Sequence, residues 1–446
     1  MAPHSPLTSG RIARFWAPLA ATWLMMAAEG PFVAALIARL PEPKLNLAAW
    51  GVAIAFAMLI EAPVIMMMSA ATALVRDRQS LAALRRFAYA LNGTVTAVML
   101  VLLVPSVFSF VAGRLVGLPE DVTRLAHRAT ALLLPWPAAI GYRRFYQGVL
   151  IRRGQTRRVA FGTVTRLVGM SATGLAAYAV NTWPGVAVGA LALSAGVVLE
   201  AAATRLWAAR AVREVAASEA AAGSQELSSA TIARFYIPLA LTSVLTIGVH
   251  PLVTFLVAHS RMALESLAVL PVVTGFAFVF RSAGLAFQET GIALLGDDQG
   301  GRKPLASFGT LLAVASAGAL AVVAFTPASG LWLEGVAGLR PELAGFAIVP
   351  LRLLVVVPAL EVLVSFQRAL LVNARRTPPI TWATAIEVAS IAFLIWVATT
   401  WLDLVGAVAA AAAILLGRLG ATAFLCRAVS GSCPLPGRAG ASGTAP

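Results

Sequence analysis

Residues 12–40, IARFWAPLAATWLMMAAEGPFVAALIARL, and residues 232–260, IARFYIPLALTSVLTIGVHPLVTFLVAHS, align without a gap, and twelve of the 29 positions are identical at an offset of 220. The matches include Arg14/Arg234, Pro18/Pro238, Thr22/Thr242 and Pro31/Pro251. Shared apolar composition gives scattered coincidences, but not two prolines and an Arg-Phe pair in register. The chain therefore carries an internal repeat. Each copy is also long and apolar enough to cross a bilayer as a helix.

Outward from these two stretches the same kind of segment recurs. Apolar runs lie at about 13–39, 46–75, 87–113, 127–151, 159–181, 185–209, 231–259, 264–295, 305–332, 344–371, 379–401 and 404–426, separated by short polar or Pro/Gly punctuation such as Pro41-Glu42-Pro43. Of 446 residues, 59% are apolar and 12% charged, whereas soluble domains run near half and a quarter. At about 20 apolar residues per crossing, that composition makes about twelve transmembrane helices. A water-soluble enzyme is excluded. So is a β-barrel, because the apolar residues form unbroken runs and do not alternate.

The formal net charge is +15, from 34 Lys and Arg against 19 Asp and Glu. The bases fall mostly in the gaps between apolar runs, which reads as topology and not as nucleic-acid binding. With the N-terminus in the cytoplasm, about 23 bases lie inside and about 7 outside. The cytoplasmic groups include Arg76, Arg78, Arg85 and Arg86, then Arg152, Arg153, Arg157 and Arg158. The excess places both termini in the cytoplasm by the positive-inside rule, and the use of Arg for all bases but Lys44 and Lys303 points to a bacterial protein, hence to the inner membrane. The sequence shows no metal-ligand cluster, cofactor motif, P-loop or cleavable signal peptide. Cys426 and Cys433 lie at the cytoplasmic end, where a disulfide is not expected.

Six helices per copy, an even number, make the two halves parallel about an axis along the membrane normal. The expected organisation is an N-terminal six-helix lobe over 1–213, a cytoplasmic linker over 214–228, a C-terminal six-helix lobe over 229–430 and a disordered cytoplasmic tail over 431–446. Such twofold arrangements usually enclose a substrate site near midplane and work by rocking of the lobes. The expected function is alternating-access transport by a monomer in the lipid bilayer. A non-transporting membrane scaffold is the rival of another class.

The segment Gln147-Gly148-Val149-Leu150, followed by Thr156, is similar to the pattern that closes helix 4 in proteins of the multidrug and toxin extrusion (MATE) type. Gln367, Leu370 and Thr377 stand in comparable places after helix 10. In the second half Pro238-Leu239-Ala240-Leu241, Pro251, Pro350-Leu351-Arg352, Pro358 and Glu289 resemble the progressive ankylosis protein family, a MATE-like branch of the multidrug, oligosaccharidyl-lipid and polysaccharide exporter superfamily. His250 stands where that family tends to carry Arg. The resemblance implies an all-α fold of twelve helices and export of an anion of the citrate, malate, ATP or pyrophosphate class. It also leaves two alternatives open. One is a proton- or sodium-coupled antiporter of multidrug cations, and the other is a flippase for a lipid-linked precursor.

An ionisable side chain at the centre of a membrane helix costs about 2.5–3.5 kcal/mol, so each one needs a partner or a task. Arg166 and Glu200 lie at similar depth in helices 5 and 6, as do Glu387 and Arg418 in helices 11 and 12, with the signs exchanged between halves. Both are expected to be structural ion pairs. Glu61 and Arg281 differ by 220 and so hold one repeat position with opposite charge; they are a candidate gate pair. Arg352 stands between Pro350 and Pro358, and guanidinium presents a fork suited to carboxylate or phosphate. Arg352, Arg281 and His250 are the expected anion ligands. Glu29, Glu61 and Glu289 are the expected coupling or gating carboxylates for a proton or cation, and Pro31, Pro251 and Pro358 the expected hinges.

Overall fold

The computed structural model describes residues 7–430 apart from 28, 116–117, 219–226, 297–299, 338 and 340. Most of the expected linker, and all of the expected tail over 431–446 with Cys433, lie outside the described residues. Among the described residues the regular structure is helical, with one isolated bridge between Arg261 and Val405. The first half runs α1 (Ser9–Ala27), α2 (Glu29–Ala38), α3 (Pro43–Glu61), α4 (Met67–Leu74), α5 (Arg78–Leu102), α6 (Pro105–Phe108), α7 (Glu120–Leu132), α8 (Trp136–Arg152), α9 (Thr156–Val180) and α10 (Gly185–Ala216). The second runs α11 (Ser229–Ala258), α12 (Ala263–Leu294), α13 (Arg302–Phe325), α14 (Ala328–Gly330), α15 (Pro341–Leu353), α16 (Val357–Asn373), α17 (Pro378–Thr400) and α18 (Gly406–Ser430).

These helices join end to end into twelve spans, six per half. Among the described residues nine are long and apolar enough to cross a membrane, and a tenth joins them when α5 and Pro105–Leu115, bent by 77°, are taken together. The other two are the first span, whose described residues Ser9–Ala27 and Glu29–Ala38 lie either side of residue 28, and the fourth, which carries Arg143 and Arg144 inside α8. The protein is a multi-pass membrane protein.

Proline explains where spans break. Pro63 sits in the 3-10 turn Ala62–Val64 between α3 and α4, and its missing N–H interrupts the ladder just after Glu61. The Tyr236 hydroxyl donates to the Pro63 carbonyl at 2.6 Å there. Pro358 opens α16 after the 3-10 turn Leu354–Val356, so an interruption stands where that hinge was expected. The side chains of Pro31, His250 and Pro251 lie outside the described residues.

The repeat is written into the backbone well beyond the 29 aligned residues. Glu42, Gly154 and Asn181 have φ of 53°, 73° and 50°, and Met262, Arg375 and Asp403 follow them at offsets of 220 to 222 with φ of 53°, 56° and 46°. The capping is repeated too. Asn46 Oδ1 accepts from the Val186 amide at the start of α10 at 3.0 Å, and Ser266 Oγ accepts from the Ala407 amide at the start of α18 at 3.0 Å. Thr22 and Thr242 donate their hydroxyls to the carbonyls of Pro18 and Pro238. One glycine per half permits a close helix approach at an equivalent place. A Cβ on Gly196 would lie 2.8 Å from the Arg166 carbonyl, and one on Gly417 would lie 3.0 Å from the Glu387 carbonyl.

The chain packs as two compact units, Met1–Pro251 with Leu285–Phe308, and Leu252–Gly284 with Gly309–Pro446. In the first, α9 and α8 pack along α10, and the alanine stripe Ala49, Ala53 and Ala57 of α3 lets α7 come close. In the second, α17 packs along α18, and Val269, Val273, Leu351 and Leu354 lie in its apolar core.

Candidate functional site: buried charge networks

Each unit gathers buried ionisable side chains into a cluster. In the first, Glu200 is fully buried on α10 and is the hub. Its Oε2 takes the Arg143 guanidinium, with Arg166 at 3.8 Å. Its Oε1 accepts from Gln147 at 3.2 Å and Thr163 at 3.5 Å. Arg166 binds Glu29 directly. The expected Arg166–Glu200 pair is thus the longer arm of a chain that runs Glu29, Arg166, Glu200, Arg143. Glu29, expected to be a coupling carboxylate, is held by a guanidinium, and its Oε1 is buried without a hydrogen-bond partner.

The second unit exchanges the charge at two repeat positions but is again built on a glutamate hub. Arg166 and Glu387 hold equivalent places under Gly196 and Gly417, and Glu61 and Arg281 share a repeat position. Here Glu361 on α16 is the hub, with Arg281 at 2.6 Å and Arg418 at 3.3 Å. Arg418 reaches Glu387 at 3.0 Å, which is the pair read from the sequence. Arg281 therefore has a carboxylate partner on α16, two spans away in the same half. Inverting the charge at two repeat positions obliged each half to find its own counter-charges, because an unpaired buried ion costs several kcal/mol.

Two buried arginines of α8 and one of α16 escape a reading that looks for charges only in isolation. Arg143, Arg144 and Arg368 are 1%, 8% and 9% exposed. They precede or follow the Gln147 and Gln367 motifs closely enough to pass for the basic ends of their apolar runs. Their depth inside 127–151 and 344–371 is the signal that could have found them. Arg368 donates to Thr384 Oγ1 at 3.1 Å. Among the described residues neither Arg144 nor Arg368 has a carboxylate within ion-pairing distance, and the Nε of each is buried without a partner. What sets Arg144 apart is its surroundings. It lies over the Trp23 ring at 5.9 Å and against the Met68 sulfur at 3.9 Å. Glu61 and Glu289 act on it only from a distance.

Arg144 lines a narrow crevice with Trp23, Met26, Met68, Gln147 and Glu289. The crevice has room for about one water molecule. Glu61, 8% exposed, stands at the end of α3 and leaves Oε2 without a partner. Glu289 accepts from Ser69 at 2.5 Å, and these two residues are again 220 apart. Arg352 occupies an exposed position on α15. Its Nε donates to the Ala324 carbonyl at 3.2 Å and its guanidinium lies 5.1 Å from the Phe325 ring, so it is engaged by the end of α13.

No family model matches the sequence, and no curated protein matches it. Solved structures do match along nearly the whole chain. A transporter of the MOP superfamily from Pyrococcus furiosus superposes with a TM-score of 0.75 over 95% of this chain and 96% of its own, at 15% identity. The fold is that of the MATE transporters. A MATE family multidrug resistance transporter in an outward-facing conformation gives 0.74 over 95% and 96%, at 15% identity. The eukaryotic MATE transporter AtDTX14 gives 0.76 over 94% and 95%, at 13% identity. Within this MATE fold the proline breaks at Pro63 and Pro358 and the two charge networks belong to one twelve-span framework.

Proposed function

We propose that this chain is an alternating-access secondary transporter of the bacterial inner membrane, with both termini cytoplasmic, that works as a monomer and exports an organic or phosphorylated anion. The observation that carries the reading is Arg144. A guanidinium buried at a crevice wall, held only by the Trp23 ring and the Met68 sulfur and without a paired carboxylate, keeps its charge available for a carboxylate or phosphate group. Gln147, next to it on the wall, offers a further donor. Arg281, about a quarter exposed at its side chain, is a second candidate contact, and His250 and Arg352 are kept as peripheral ones.

Glu61 and Glu289 supply coupling on this reading. When both are ionised they partly neutralise Arg144, and when Glu61 takes a proton the guanidinium is released to the anion. The anion and the proton then bind cooperatively, so anion affinity rises as pH falls. Glu29 would transmit the change to Arg166 and Glu200. The expected hinge at Pro358 and the break at Pro63 would let the spans bend during access.

A specific observation favours the multidrug cation reading as the second choice. The first unit's cluster holds four carboxylates, Glu29, Glu61, Glu200 and Glu289, against three guanidiniums, Arg143, Arg144 and Arg166, and Trp23, Met26 and Met68 give the crevice an apolar wall. The Pyrococcus furiosus transporter is described as having a binding pocket of reverse polarity that suggests a different function, and the same question of sign applies to this chain. Arg144 separates the two. Arg144→Gln abolishes export if the cargo is an anion and leaves or raises it if the cargo is a cation. The test is metabolite profiling of medium from cells that overproduce wild type or Arg144→Gln. Citrate, malate, ATP and pyrophosphate released by wild type only would support the anion. Equal release in both would dispose of it.

A further inference from the structure

The first unit carries a second basic site that the transport reading does not use. Arg11 and Arg14 at the start of α1, Arg157 and Arg158 at the start of α9, and Arg210 and Glu214 near the end of α10 line one open basin of about 690 Å³. Among the described residues the lining holds five guanidiniums and one carboxylate. Glu214 is committed to Arg210, whose Nε reaches it at 2.9 Å, and Arg158 is oriented by a 2.8 Å bond from its guanidinium to the Trp207 carbonyl.

Topology alone does not explain this basin. Arginines on this face are what the positive-inside rule demands, but the two halves place them at different positions. At the repeat positions of Arg11, Arg157 and Arg158 stand Thr231, Pro378 and Pro379, Arg14 matches Arg234, and Gly154 and Gln155 of the lining match Arg375 and Arg376. Three separate segments of the first half have instead brought arginines to one concave surface. A volume of this order suits a small ligand, and arginine forks match phosphate oxygens in pairs. Basic pockets at the cytoplasmic ends of membrane helices are positioned for phosphate-bearing headgroups.

We propose that this basin is a binding site for a phosphate-bearing anion, distinct from the transport crevice, filled by the headgroup of an anionic phospholipid or by a soluble polyphosphate. The discriminating experiment uses full-length protein stripped of lipid in a neutral detergent, titrated with monomeric short-chain phosphatidic acid in one arm and tripolyphosphate in the other. Binding is read as a saturable rise in thermal stability. Wild type should bind in at least one arm, and the arm that responds names the source. Arg14→Gln/Arg157→Gln/Arg158→Gln should weaken binding about fivefold for each guanidinium, so about 100-fold in all. A control that removes three exposed charges elsewhere, Arg85→Gln/Arg86→Gln/Arg234→Gln, should change it less than about threefold. Should the first variant fail to fold, Arg14→Lys/Arg157→Lys/Arg158→Lys keeps the charge, and wild-type affinity must still fall from low to high salt. No saturable binding in either arm, equal weakening by the control, or affinity indifferent to salt would overturn the proposal.

Discussion

Glu200 gives the sharpest stability prediction, because the sequence and the structure disagree about its main partner. Sequence depth pairs it with Arg166, whereas the structure gives it Arg143, with Arg166 at 3.8 Å and bound instead to Glu29. Glu200 and Arg143 are 0% and 1% exposed. Glu200→Leu leaves Arg143 buried without a carboxylate, at a cost of about 3–5 kcal/mol. Arg143→Met/Glu200→Leu removes both charges and recovers much of that loss, because a buried pair is often no better than apolar side chains of like volume. The coupling between Arg143 and Glu200 should be about 2–3 kcal/mol. For Arg166 and Glu200, whose bond is long and whose arginine keeps Glu29, it should be about 1 kcal/mol or less. The assay is reversible unfolding in mixed detergent micelles, followed by tryptophan fluorescence, over both double-mutant cycles. Coupling of Arg166 to Glu200 as large as that of Arg143 would refute the assignment of partners.

Other expectations follow from the same contacts. Gly196→Ala puts a methyl 2.8 Å from the Arg166 carbonyl and 2.9 Å from Met170 Cβ, so α9 and α10 must part at a cost of about 1–3 kcal/mol, read as a lower unfolding midpoint. Asn46→Ala strips the Val186 amide of its cap, and a loss of about 1 kcal/mol is expected in the same assay. Glu361→Gln leaves Arg281 and Arg418 short of charge and should lower stability by about 3–5 kcal/mol, whereas Glu265→Gln, on a half-buried site with no described ion pair, should change it little. On transport, anion affinity of the wild type should strengthen as pH falls, and Glu61→Gln should flatten that dependence in equilibrium binding measurements.

The fold is legible in the sequence because a bilayer forces its solutions. Unbroken apolar runs mark the spans, and prolines in register mark the repeat. The structure extends the repeat into places where identity has vanished, such as Glu42 and Met262, which share only a left-handed backbone. Asn46 and Ser266 share only a capping oxygen. The charged site is legible in part. Glu387–Arg418 can be placed because the two spans are adjacent and the residues lie equally deep. Glu29–Arg166 cannot, because the first and fifth spans meet only after the half has folded. Arg144 escapes for a different reason. A pair of arginines near the end of an apolar run looks like a topology signal, and only the packing of α8 against Trp23 and Met68 shows that it is buried.

Proteoliposomes give the decisive test that an anion moves with Arg144 as its ligand. Labelled citrate and pyrophosphate, and in parallel a fluorescent organic cation, are followed across vesicles containing wild type or Arg144→Gln under an imposed proton gradient. The expected result is movement of an anion by wild type, its loss in Arg144→Gln, and no movement of the cation by either. Transport of the cation that survives or rises in Arg144→Gln, with both anions left behind, would contradict it.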